Sequence, residues 1–384
     1  MRVTEDIRYI GVNDHKTELF ESLYRIPNGV SYNSYVILDE KIAVLDTVEA
    51  GFVEEWLYKL GGVLTGKEPK YLVIQHMEPD HSAGIAAFTE KYPNAIVVAS
   101  EKAFQMMKNF FGVDFADRRR IIADGDEVTL GKHRLRFFSA PMVHWPEVVM
   151  TYDATDYVLF SADAFGKFGA NDVYDNWVDE ARRYYIGIVG KYGLFVQKVL
   201  QRVKGLPLRV ICPLHGPMLK EDIAKYMTLY DIWSSYRPEE EGVLIAYASI
   251  YGNTRRAALL LEKELQGKGV FVKTMDLARC DRAEVVAQAF RYSKLVLASA
   301  TYNAELFPEM REFIDCLKER FYSNRKVAFI ENGSWAIVAA KLMRERLEGC
   351  KNIQMIEPVV RIMSGLSEDN IEQIEELADA LCRS

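Results

Sequence analysis

From residue 1 to about residue 238, short apolar runs alternate with polar turns. The runs are SYVILDEKIAVLD (34–46), KYLVIQH (70–76), NAIVVAS (94–100), LRFFSAP (135–141), VVMTYD (148–153), YVLFSAD (157–163) and LRVICPLH (208–215). They are rich in β-branched and aromatic residues, and stretches such as DEK, DGDE, YDATD and KGLP separate them, so each predicts a strand. Apolar positions at helical spacing predict a helix over EEWLYKLGGVL (54–64) and another after His81. Strands mixed with occasional helices predict a layered α/β or α+β domain. A proline, three acids and a glycine in YRPEEEG (236–242) then predict a linker.

After the linker the rhythm becomes regular. GVLIAYAS, VFVKTMDLA, KLVLASAT, KVAFIEN and QMIEPVVRI read as strands, each followed by a helical stretch, the last being SEDNIEQIEELADALC. Five βα units in succession predict an open, doubly wound parallel sheet with helices on both faces. The expected domains are therefore 1–238 and 242–384, in line with a length of 384 residues, too long for one ordinary core.

Composition narrows the function classes. A net charge of −7 disfavours a general nucleic-acid surface. No apolar run is long enough to span a bilayer, and the start MRVTEDIRYIG lacks a signal-peptide pattern, so the expected location is the cytoplasm. The five cysteines are scattered and form no CxxC pair, which speaks against a disulfide framework, a zinc ribbon and an appended rubredoxin-type iron site.

Candidate chemistry lies at strand ends. HMEPDH (76–81) follows a buried strand and carries His76, Glu78, Asp80 and His81, a donor set suited to zinc, manganese or iron. His144, Asp163 and His215 stand at or just beyond the ends of three further strands. Singly each reads as a hydrogen-bonded strand-end residue; together they read as ligands. Of the other two histidines, His133 sits among basic neighbours and reads as a solvated turn residue, and His15 as a surface residue.

In the second half, SIYGNT (249–254) joins the first strand to the first helix. Its turn and helix start offer backbone N–H groups to a phosphate. The Gly-Lys-Ser/Thr of nucleotide triphosphatases is absent, as is GxGxxG. SATYNAELFP (299–308) and ENGSWA (331–336) follow the third and fourth strands, so all three loops share the carboxyl edge where open sheets bind ligands. Tyr251, Tyr302 and Trp335 add aromatic faces suited to a flat ring.

These three loops resemble the FMN-binding loops of flavodoxins. The resemblance implies a phosphate loop of Ser249, Ile250, Tyr251, Gly252, Asn253 and Thr254. It implies ring-flanking loops of Thr301, Tyr302, Asn303 and Ala304, and of Asn332, Gly333, Ser334 and Trp335. The first half resembles the metallo-β-lactamase fold, whose HxHxDH motif is followed by His, Asp and His on later strand ends. Here Glu78 replaces the second motif histidine, giving HxExDH, the pattern of the flavodiiron proteins (A-type flavoproteins), which join the two domains in this order.

Membership of that family implies a metallo-β-lactamase-like αββα sandwich followed by a flavodoxin-like sheet, and two non-haem irons plus FMN as cofactors. His76, Glu78 and His144 would hold one iron, Asp80 and His215 the other, and Asp163 would bridge. His81 would either ligate the second iron or give way to water. Tyr184 and Tyr185 in ARRYYIG resemble a stretch with a tyrosine near the metals, with ordinary packing the alternative. PNGVSYNSY (27–35) also resembles the family, but the pocket histidine some members carry near it is missing. The implied activity is reduction of dioxygen to water, nitric oxide to nitrous oxide, or both. The chain ends right after its last helix, so the expected electron donor is separate, such as rubredoxin or a reductase, and the expected assembly is a head-to-tail homodimer or a tetramer. The rival readings are a metal-dependent hydrolase with a flavodoxin appendage, and an electron carrier with a structural metal nest.

Overall fold

The computed structural model describes residues 1–384, which fall into two compact units, 1–231 and 232–384. In the first unit two sheets face each other. One has the strand order Ile7–Tyr9, Tyr35–Ile37, Ala43–Leu45, Tyr71–Val73, Ile96–Ala99, Arg119–Ile121, antiparallel at the start and parallel from Ala43–Leu45 onward. The other runs Glu127–Thr129, Arg134–Ser139, Val149–Asp153, Val158–Phe160, Val210–Cys212, with only its last pair parallel. Alternate residues of both sheets, among them Tyr35, Ile37, Leu45, Val73, Leu135, Phe137, Phe160 and Cys212, form one buried core between them. Helix Val53–Leu64 buries Trp56, Leu60 and Leu64, the i, i+4, i+8 stripe that the sequence pattern predicts. Trp56 lies near Phe88 of helix Ile85–Lys91 and donates from Nε1 to Ser34 Oγ at 2.9 Å.

The second unit is a parallel sheet of order Val272–Asp276, Glu240–Tyr247, Tyr292–Tyr302, Arg325–Gly333, Ile353–Met355, with Val360–Met363 also paired to Arg325–Gly333. This 2-1-3-4-5 arrangement is the flavodoxin-like order of doubly wound folds. Helices Asn253–Gly267 and Glu368–Arg383 cover one face, burying Leu261, Leu265, Ile374 and Leu377 against Val243, Ile245, Val296 and Ile330. Because both faces are covered, the central strands are continuous apolar runs, as they read in the sequence.

The structure departs from the sequence reading at several places; the run 34–46, expected as one strand, is two antiparallel strands, Tyr35–Ile37 and Ala43–Leu45. The units divide between Asp231 and Ile232, within helix Ile223–Ser234 and before the expected boundary. Glu240, Glu241 and Gly242, expected in the linker, belong to the first strand of the second unit. Their acids are neutralised or bonded there: Arg291 Nη2 meets Glu240 Oε1 at 2.7 Å, and Ser293 Oγ donates to Glu241 Oε2 at 2.7 Å. The fifth strand, expected as one run, is split in two around Pro358, which has no N–H to give to the ladder.

Candidate functional site

HMEPDH leaves the carboxyl end of strand Tyr71–Val73. Pro79 restricts the residue before it to extended backbone, and Glu78 has φ −58° and ψ 138°. In an extended stretch residues two apart share a side, so His76 Nε2 and Glu78 Oε2 meet at 3.3 Å. A short helix, Pro79–Ser82, then carries Asp80 and His81. Two residues at the end of strand Ala43–Leu45 brace the loop. Asp46 accepts from Gln75 N and Gln75 Nε2, both at 2.7 Å, and Thr47 donates through N and Oγ1 to the His81 carbonyl, both at 2.8 Å.

The donors form two clusters. His144 Nε2 lies 3.0 Å from Glu78 Oε2, 3.1 Å from Asp163 Oδ2 and 3.4 Å from His76 Nε2. His81 Nε2 lies 3.0 Å from His215 Nε2, 3.4 Å from Asp80 Oδ2 and 3.2 Å from Asp163 Oδ1. Asp163 therefore turns one oxygen to each cluster. The structure gathers all seven sequence-predicted ligands, His81 among them, and it puts His81 in the cluster of Asp80 and His215. Except for Glu78, which is partly buried, all are buried.

Burial opposes charge on the His144 imidazole, but Asp163 and Glu78 beside it outweigh burial and hold its pKa up at about 9. Burial likewise opposes the Asp163 carboxylate, and His76 and His81 hold it well below the usual range. Both oxygens of Asp80 and the Oδ1 of Asp163 are buried without a hydrogen bond. Imidazole nitrogens and carboxylate oxygens crowded this closely, with oxygens left unbonded, fit a pair of metal ions; mixed N and O donors suit iron.

Of the two tyrosines, Tyr184 faces the clusters. Its ring centroid is 5.6 Å from that of His215, and its hydroxyl is buried without a hydrogen bond. Burial, then the nearby Asp163 and Glu78, raise its pKa well above that of a free phenol. Tyr185 instead sets its ring edge-on to Tyr230 at 5.0 Å. His15 is an exposed partner of Asp172, as expected. His133 is not a solvated turn residue: it is fully buried, with Nδ1 2.9 Å from Asp153 and Nε2 3.3 Å from Asp6.

Sequence reasoning missed several residues of this site. Glu147 backs His76, with 2.8 Å between Nδ1 and Oε1. Ser31 offers its carbonyl to His215 Nδ1 at 2.8 Å. Glu21, on the turn between strands Leu19–Phe20 and Tyr24–Arg25, is largely exposed but turns its carboxyl toward Glu78; partial desolvation there and then the Glu78 charge raise its pKa. Glu147 has a visible signal, an acid three residues after a candidate ligand in HWPE; Ser31 and Glu21 have none.

In the second unit a cavity of about 640 Å³ opens at the carboxyl edge of the sheet. It is lined by Ser249, Ile250, Tyr251, Asn253 and Thr254, by Thr301, Tyr302, Asn303 and Ala304, and by Asn332, Gly333, Ser334 and Trp335. Gly252 does not line it; its φ of 92° turns the chain into helix Asn253–Gly267, whose start has no side-chain cap. The helix N–H groups are thereby left for an anion. Thr301 Oγ1 accepts from Val338 N and Ala339 N at 3.0 and 3.1 Å, so it serves the start of helix Ala339–Leu347 as well as the wall. Ser364 also lines the cavity and donates to Ser334 Oγ at 2.7 Å. It follows the fifth strand at the same edge, a loop that the sequence reading left unexamined. Tyr251 and Trp335 stand at the cavity 94% and 81% exposed.

A β-lactamase-like unit with a two-cluster donor nest, joined to a flavodoxin-like unit, defines a class of protein, and comparison with known proteins agrees. The ODP family beta lactamase matches residues 30–216 and the flavodoxin domain residues 244–349. The chain is 30% identical over 367 residues to a nitric oxide reductase of Moorella thermoacetica, covering 93% of this chain and 91% of that one. Among solved structures, rubredoxin oxygen:oxidoreductase of Desulfovibrio gigas superposes with a TM-score of 0.92 at 24% identity, covering 100% and 98% of the two chains. The flavodiiron protein of Giardia intestinalis gives 0.89 at 24%, covering 99% and 96%; both likenesses speak to the fold. The chain belongs to the flavodiiron family of A-type flavoproteins. No helix is long and apolar enough to cross a membrane.

Proposed function

We propose that the chain reduces dioxygen to water, nitric oxide to nitrous oxide, or both, at a pair of non-haem irons supplied with electrons through FMN. The observation that carries this reading is Asp163, whose two oxygens face two separate donor clusters. In this reading His76, Glu78 and His144 would hold one iron, Asp80, His81 and His215 would hold the other, and Asp163 would be shared between them. Two ferrous ions and a reduced flavin together supply the four electrons that dioxygen needs, or two for a pair of nitric oxide molecules.

The chain's own residues bind, orient and shield. Phe20, Tyr32 and Tyr184 ring His215 and keep that side of the nest apolar. Tyr184 keeps its phenol proton, because its pKa is raised, and its unbonded O–H would be available to a molecule bound at the metals. Tyr185 has no part in this reading. In the second unit the uncapped helix start, with Ser249, Asn253 and Thr254, would hold the FMN phosphate, and Tyr302 and Trp335 would offer their faces to the ring.

The exposed Tyr251 and Trp335 support a head-to-tail dimer, with the flavin of one copy against the irons of another; a tetramer would be built from two such dimers. The donor is rubredoxin or a reductase, and five free cysteines suit the cytoplasm. Metal and flavin analysis, followed by anaerobic turnover with each gas, tests the reading. Two irons and one FMN per chain with gas consumption is the expected result. Two zincs and no flavin from iron-rich cultures would overturn it in favour of a hydrolase.

A further inference from the structure

The histidines of the nest are backed unequally. His76 Nδ1 faces a carboxylate, Glu147 Oε1 at 2.8 Å. His215 Nδ1 faces a neutral carbonyl, that of Ser31, also at 2.8 Å. His81 Nδ1 is buried with no hydrogen bond. The carboxylate backing therefore falls on the cluster that already contains Glu78, and the other cluster has none.

Glu147 is built for this task. It is buried, and its Oε1 also accepts the Met77 N–H at 2.9 Å. Its other oxygen is buried without a hydrogen bond, and its one ion-pair partner is His76. Ser100 Oγ holds its backbone carbonyl at 2.9 Å. One turn, His144 to Glu147, thus delivers a ligand to the cluster and the support for another ligand. A histidine backed by a carboxylate is a stronger metal ligand than one backed by a carbonyl, because the charge fixes the proton on the far nitrogen and raises the basicity of the near one.

We propose that Glu147 is a positioning residue that keeps the His76 proton on Nδ1 and makes the His76–Glu78–His144 position the tighter of the two metal positions. The proposal rests on the two-metal reading above. The test is stepwise anaerobic titration of the metal-free full chain with cobalt(II), comparing wild type with Glu147→Gln, Glu147→Asp and Glu147→Ala. Glutamine keeps an oxygen for both Met77 N–H and His76 Nδ1–H and removes the charge, placing its NH2 where Oε2 stood. The expected wild-type result is two separable steps. In Glu147→Gln the tighter step weakens by about 10–100-fold, the size usual for a lost outer partner of a metal ligand. The weaker step stays put and the visible spectrum of the first-bound cobalt changes. Glu147→Asp recovers part of the loss, and Glu147→Ala shows the largest.

A Glu147→Gln titration identical to wild type would overturn the proposal while leaving the two-metal reading standing. Wild type that binds fewer than two ions would overturn both. A check independent of any variant is proton NMR of the zinc-loaded wild type: the His76 Nδ1 proton is expected further downfield than that of His215, and the reverse order would overturn the assignment.

Discussion

Asp163 is the one side chain that both clusters share, and its loss should be felt at both. Asp163→Asn keeps the shape, removes the charge and turns one donor atom into an amide nitrogen. Iron content is expected to fall below one per chain, with FMN retained because its cavity belongs to the other unit; elemental analysis beside the flavin spectrum reads both. Unchanged iron would show that Asp163 is not a ligand. His133 carries a prediction of a different kind. Burial opposes its charge, but Asp153 and Asp6 overcome that and hold its pKa above the ordinary 6.5. A raised folded-state pKa means that the stability from this ion pair is complete below pH 6.5 and is lost as pH rises through the folded value. Denaturant midpoints of wild type should therefore fall with rising pH in that window relative to His133→Gln; parallel curves would refute the linkage. The sequence misplaced His133 because its neighbours, Lys132 and Arg134, are basic, while the acids that bury it stand 20 and 127 residues away. The seven predicted ligands were legible for the opposite reason: each lies at or just beyond the end of a strand that is itself legible, and the two sheets bring those ends together.

Loops at strand ends do the work at the next scale, and their backbone is as specific as their side chains. Gly252 has a left-handed φ of 92°, which a β-branched residue adopts only with strain of about 1–3 kcal/mol. Gly252→Val is expected to shift the helix start and weaken FMN binding at least tenfold, while iron content stays at the wild-type level. Flavin titration of the FMN-free protein measures the first and elemental analysis the second. Phe137 belongs to the core between the two sheets, and Phe137→Ala should cost about 3–5 kcal/mol. Most strands were plain in the sequence because half-buried strands alternate and doubly covered ones are continuously apolar. The start of strand Glu240–Tyr247 was not, since three acids beside a proline look like a linker until Arg291 and Ser293 are seen to meet two of them. Glu147 was missed for a similar reason: WPE has the composition of a solvated turn, and only the fold brings His76 to its carboxylate.

At the scale of the molecule, two units with separate cores should unfold separately. The loss in Phe137→Ala is expected in one of two denaturant transitions, with the flavin-linked transition unmoved; a single transition that shifted as a whole would show that the cores are coupled. If turnover needs a second copy, specific activity should fall on dilution through the dimer's dissociation range and recover on concentration. The nest also has a bearing on how the chain matures. HMEPDH leaves one sheet of the first unit, whereas His144, Asp163 and His215 leave the other. No fragment holding a single sheet contains either cluster complete. On the ligand set proposed above, neither metal position would be complete until the sandwich has closed, so full metal loading would report that the first unit has folded.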